Sequence, residues 1–249
     1  MIKFVIPFIL LLWSLNGVAE NVGPWIEVKN QDGLKVSKRV HKNSDLLEFR
    51  GEGVIEAELA TVIALLTDPY RITEWVENCL KADLVKANYD INDRDLLQKK
   101  LSEFYHIQYL EMFVPWPFQN RDVVIKGSVN YYKDKETGLE GARLLSHRVD
   151  WQQKPPIDGL TRMPIMTSSL DVRQVGGSHT FIDFRVRADP GGRIPEWIVN
   201  FVTGMLPLKT MENIREMVKK GEIDKKRLRL VQHHIDKIKG DQPPQASGH

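Results

Sequence analysis

From Trp25 to Ala188 the chain reads as a series of extended segments whose connections are mostly too short to cross over, and this limits the possible folds more than any other feature. A parallel pair needs a connection of a dozen or more residues, so neighbours joined by a few residues pair antiparallel. The first segments are Trp25 to Asn30, Leu34 to Val40 and Leu46 to Glu56. Asp32-Gly33 is a hairpin signal, Asn43-Ser44-Asp45 a second turn, and Gly51-Glu52-Gly53 would permit a bulge. Further strands are expected at 84–89, 95–113, 121–132, 140–150, 165–175 and 179–188, with a polar hairpin loop at Lys133 to Gly138 and a tight turn at Gly176-Gly177.

Helical spacing interrupts this pattern at Glu58 to Leu66, until Pro69 stops it, and a short helix is expected over Ile72 to Asn78. After Asp189-Pro190-Gly191-Gly192 the period is helical from Ile194 to about Lys219, with Trp197, Phe201, Met205, Leu208 and Met211 as an apolar stripe that Gly204 and Pro207 should loosen in its middle. One sheet with most of its helix at the end is an α+β plan. A twisted sheet of this many strands curls. Wrapped around the long C-terminal helix, it leaves a central hydrophobic cavity suited to an apolar ligand.

Lys3, the apolar run Phe4 to Leu15 and the small residues Gly17 and Ala19 have the layout of a signal peptide over 1–19, cut after Ala19. An uncleaved anchor helix is the alternative. The run is shorter than the roughly 20 residues of a membrane span, and no cysteine follows the cut to carry a lipid. The expected location is therefore extracytoplasmic, in the periplasm of a Gram-negative bacterium. A net charge of only +2 argues against nucleic acid as the main partner. Cys79 is the only cysteine, so no intrachain disulfide forms, and Glu77 and Asp83 beside it would not activate the thiol.

Two stretches carry a family resemblance. Val114-Pro115-Trp116-Pro117-Phe118-Gln119-Asn120-Arg121-Asp122-Val123-Val124 is similar to a Pro-x-Pro and Asn-Arg-Asp segment leading into a central strand. Asp189-Pro190-Gly191-Gly192-Arg193-Ile194-Pro195-Glu196-Trp197-Ile198-Val199-Asn200 resembles a turn into a lid helix. Both belong to the START (steroidogenic-acute-regulatory-related lipid-transfer) domains, and these motifs resemble those of the phosphatidylcholine-transfer-protein-like members. Weaker echoes are Glu74-Trp75, Glu111 and Gly159-Leu160-Thr161-Arg162. The resemblance implies the helix-grip fold over a domain placed at 20–221, and a single lipid held inside without chemistry. Residues 222–249 are left as a basic C-terminal helix, Ile223 to Lys239, and a disordered tail.

Alternation along strands selects the ligand wall. Leu110 and Met112, then Val123 and Ile125, then Met166, Ser168 and Leu170, then Phe184 and Val186 share inward faces, and Trp197, Phe201 and Met205 add the helix. Asp122, Asp183, Arg185 and Arg187 fall on the water side of the same strands. Arg121 and Asp122 are read as structural, a charge pair holding loops at a strand start. Some START domains meet a sterol hydroxyl with a buried acid and arginine, but the position where such an arginine would sit is Gly127, leaving Arg148 and Asp171 as polar candidates.

Catalytic and metal sites are not expected. There is no Gly-x-Ser-x-Gly elbow, phosphate loop or His-Glu-x-x-His helix. The adjacent His233 and His234 diverge by about 100° on a helix and are read as solvated. His106 and His147 are read as sheet-face residues, and no cofactor is implied. The expected partners are a lipid (phospholipid, sterol-like or other hydrophobic molecule) and, transiently, a membrane surface, with the chain a monomer. A cyclase-like enzyme of the same superfamily, and a docking module built on the basic helix, remain the alternatives.

Overall fold

The computed structural model describes residues 22–41, 44–93, 96–98, 104–192 and 194–240. The expected leader at 1–19 and the tail beyond Gly240 lie outside them. Strands β1 (Ile26–Gln31), β2 (Leu34–His41) and β3 (Ser44–Ile55) are followed by helices α1 (Leu59–Leu66) and α2 (Ile72–Trp75). Then come β4 (Cys79–Ala87), a 3-10 turn at Leu96–Gln98, β5 (Tyr105–Met112), β6 (Arg121–Lys133), β7 (Glu140–Arg148), β8 (Thr161–Arg162), β9 (Ile165–Gly176) and β10 (His179–Asp189). Helices α3 (Glu196–Lys220) and α4 (Lys225–Gly240) complete the fold.

The strands form one sheet in the order β1-β2-β3-β10-β9-β7-β6-β5-β4, antiparallel throughout except that β8 pairs parallel with β6. Local turns set most of this order. Asp32 and Gly33 both take positive φ, 52° and 71°, which lets two residues reverse β1 into β2. The long-range closure is β3 against β10, with Arg50 opposite Arg185 and Val54 opposite Phe181.

Several expectations are corrected. The strand expected at 84–89 starts at Cys79, because β4 follows directly on the turn at Asn78, where φ is 63°. Of the strand expected at 95–113, the described residues show Tyr105–Met112 as strand and Leu96–Gln98 as a 3-10 turn, and Asp90 accepts from the backbone and side chain of Asn92 in a turn before them. Gly51 and Gly53 make no bulge, since β3 keeps unbroken register with β10 there. They give clearance instead. A Cβ on Gly51 would stand 3.1 Å from the Pro207 Cβ, and one on Gly53 2.4 Å from the Leu34 Cδ2. Pro207, expected to loosen α3, lies inside one continuous helix and is the residue that helix sets against β3.

The main core lies between the sheet and the helices. α1 is buried at nearly every position, from Leu59 to Leu66, as a helix enclosed on all sides must be. α3 presents Leu208, Met211, Ile214 and Met217 to it. The basic C-terminal helix does not stand apart. α4 lies on α1, β6 and β7, burying Leu230, Val231, Ile235, Arg227 and His234 while its lysines face out. At 5% exposure, His234 corrects the solvated reading, with its ring 5.8 Å from that of Tyr131. A second, smaller cluster of Ile107, Tyr109 and Val124 covers the outer side of β5 and β6 under Val149 and Trp151.

Candidate functional site

Between the inner face of the sheet and the helices lies a cavity of about 200 Å³. Each strand residue selected by alternation borders it: Leu110 and Met112 from β5, Val123 and Ile125 from β6, Met166, Ser168 and Leu170 from β9, and Phe184 and Val186 from β10. Period-two geometry brings them together, because β5, β6, β9 and β10 turn the same face inward through the shared register. The side chains of Trp197 and Phe201 lie outside the described residues. Met205 is corrected: it is 41% exposed and does not border the cavity, whereas Leu206 does. Pro207, Met211 and Ile214 set the inward side of α3, and position 205 falls roughly 160° round from Pro207.

Other lining residues were not selected from the sequence. Trp75 comes from α2, Phe104 from just before β5, His106 from its start, Tyr131 from β6, and Arg227, Leu230 and Val231 from α4. The period of α4 was readable, but its many lysines drew attention to the outer side. His106 is a sheet-face residue, as expected, and its face is the inner one. Its ring fills the room beside Gly127, where an added Cβ would lie 2.5 Å from the imidazole. Burial, and secondarily the Arg227 cation, hold the His106 pKa down at about 4.

Two buried arginines border the cavity and differ in how they are held. Arg121 donates from Nε to the Pro190 carbonyl, from Nη2 to that of Gly191, both at 3.1 Å, and from Nη1 to that of Gln119. Its fork is used by the β5–β6 and β10–α3 connections, an architectural role. Asp122, expected on the water side, is 0% exposed because Arg162 of β8 grips both its oxygens at 2.9 Å and the 151–160 segment closes over the pair. Asp183, also assigned to water, is buried between Arg50 and Arg185 on the outer side. Arg148 and Asp171 are not inside: Arg148 pairs with Asp150, and Asp171 with Arg143 and Tyr132. Cys79 is buried, and burial raises its thiol to about 12, which leaves it inert. Among the described residues no cluster of His, Cys, Asp or Glu is placed to hold a metal.

The sequence model of the START domain matches residues 14–221. The chain belongs to the START domain family. This START domain is 27% identical over 205 residues to an uncharacterised protein of Pseudomonas aeruginosa, covering 82% of this chain and 90% of that one. It is also similar to the phosphatidylcholine transfer protein of Mus musculus, 26% identical over 167 residues, 59% of this chain and 74% of the other. Its fold matches the crystal structure of a STAR-related lipid transfer protein from Xanthomonas axonopodis with a TM-score of 0.62 at 26% identity, covering 78% of this chain and 98% of that one. The curved antiparallel sheet with C-terminal helices is the helix-grip arrangement of that family.

Proposed function

We propose that this START domain binds one hydrophobic lipid in its cavity and carries it between membranes, as a carrier without catalysis. The observation that supports this most is the composition of the wall, hydrocarbon side chains converging from β5, β6, β9, β10 and the helices on one cavity. Burial there is worth about 0.8 kcal/mol per CH₂, so affinity grows with the length of chain enclosed. The volume of about 200 Å³ is below the roughly 300 Å³ at which ordinary ligand pockets begin, which favours a single apolar chain unless the walls part. Met112, Met163 and Met166 make part of that wall deformable.

Membrane contact is assigned to the β5–β6 connection. Trp116 is 90% exposed, and Phe113 and Val114, just before it, border the cavity. An aromatic side chain held out beside an apolar opening suits the interfacial zone of a bilayer. The proposal includes export to the periplasm through a leader at 1–19 and a monomeric carrier, which cell fractionation and size-exclusion chromatography check.

Native mass spectrometry of freshly purified protein, followed by lipid extraction, tests the binding reading. One lipid per chain is the expected result, with Leu170→Trp abolishing it while the fold persists. A protein that carries no lipid and takes up none from vesicles refutes the proposal, and so does one that returns a chemically altered lipid.

A further inference from the structure

The lining of the cavity carries a sign. Among its described residues there is no aspartate or glutamate, while two arginines reach it. Arg121 spends its donors on three backbone carbonyls and has a structural task. Arg227 does not. It is 6% exposed, its Nη1 donates to the Thr67 carbonyl at 2.9 Å, and its Nε has no hydrogen-bond partner among the described residues. Asp68, which does not border the cavity, forms an ion pair with that Nε at 4.0 Å, beyond hydrogen-bond reach, so the charge has a neighbour but the donor stays unfilled.

A buried N–H donor left unfilled on a guanidinium is costly, and buried polar groups without hydrogen-bond partners call for an explanation. The second orphan in the cavity wall is Trp75 Nε1, buried and unpartnered among the described residues. Both are N–H donors, so whatever satisfies them must bring acceptor oxygens. A hydrocarbon alone, or an ammonium head, does not.

We infer that Arg227 anchors the head of the ligand, and that this head is an anionic oxygen group, a carboxylate or a phosphate, at the end of an apolar chain. This rests on the lipid-binding reading and adds the ligand class to it. The residue comes from α4, beyond the 14–221 span matched by the family. Guanidinium suits either anion, because its planar fork donates two hydrogen bonds at once. The helix that looks from its charge like a surface element thereby supplies the cavity wall with a cation whose Nε donor has no hydrogen-bond partner among the described residues.

The test compares dodecanoate, dodecyl phosphate and dodecanol, one chain with three heads, as displacers of the uncharged probe N-phenyl-1-naphthylamine. Wild-type protein is expected to bind at least one of the two anions about tenfold or more tightly than the alcohol, and the better anion identifies the head. In Arg227→Met that preference should vanish while dodecanol affinity is retained, and Arg227→Lys should recover part of it. Equal affinity of the wild type for all three heads overturns the inference and leaves lipid binding standing, whether or not the variants fold. A uniform loss for all three ligands in Arg227→Met also overturns it, making the residue a packing element. If neither the probe nor any of the three binds, the lipid reading falls and this inference with it.

Discussion

Taking the protein from pH 7.5 to pH 5 should remove about 2 kcal/mol of folding stability through His106 alone. An unfolded histidine titrates near 6.5, whereas the folded His106 is held at about 4 by burial and the nearby Arg227 cation. Between those values the unfolded chain binds the extra proton, so stability falls as pH drops below about 6.5 and levels off below about 4. Integrating that difference gives about 2 kcal/mol at pH 5 and about 3 kcal/mol at the acid limit. His234, lowered to about 4 by burial and by His233 and Lys237, adds a loss of the same sign over the same window. Carboxylates with depressed values, such as Asp183, lose their contribution only at lower pH, in the ordinary carboxylate range and below. Urea denaturation followed by tryptophan fluorescence at both pH values, for wild type and His106→Gln, isolates the effect. The variant should lose about 2 kcal/mol less than the wild type between pH 7.5 and 5, whatever its stability at neutral pH. Equal losses would mean that His106 protonates in the folded state as freely as in water, and the account of the cavity's interior would be wrong.

Other outcomes follow from the same contacts. Asp122→Asn leaves Arg162 without its buried partner and should lower stability by about 3–5 kcal/mol in urea denaturation, with an effect under about 1 kcal/mol marking the pair as surface-like. Ending the chain at Gly221 strips Leu230, Val231 and Ile235 from α1 and the sheet, at roughly 1.5–3 kcal/mol per side chain, so calorimetry should show the melting transition lowered or lost rather than a trimmed tail. Gly51→Leu forces a side chain into the space taken by Pro207 and should cost about 1–3 kcal/mol in thermal melts, whereas an unchanged melt would show that α3 is not seated on β3 there. Trp116→Ala should weaken liposome flotation while leaving lipid stoichiometry in native mass spectra unchanged; a matching drop in both would tie Trp116 to the ligand rather than to the membrane.

The strands and their faces were legible because period-two alternation survives wherever one side of a strand is wet and the other packed. Val123 and Ile125, or Phe184 and Val186, declare their side without help. The pattern misleads where both sides are covered. Val124 and Asp122 lie on the outer side of β6, yet both are buried, one beneath Val149 and Trp151 and the other in the grip of Arg162. Nothing local to β6 announces those lids. The helices were harder. Met205 fits an apolar stripe on paper, but the inward side of α3 is fixed by Pro207 meeting Gly51, a contact between residues far apart in sequence. For α4, many lysines on one side masked an apolar side with Leu230, Val231 and Ile235, and with it Arg227. His106 was placed on a sheet face, but only the alignment of β5 with Gly127 in β6 shows what that face looks upon.

The pairing of β3 with β10 has a consequence for how such a chain is made. Arg50 and its partner Asp183 are separated by 133 positions. At roughly 5–20 residues per second of synthesis, the edge of β3 waits about 7–27 s for the strand that will cover it. Throughout that interval the open edge of β3, a row of amide and carbonyl groups, faces its surroundings, the situation that invites sticking between neighbouring chains. Strand order itself thus sets how long that edge stays uncovered while the chain is made.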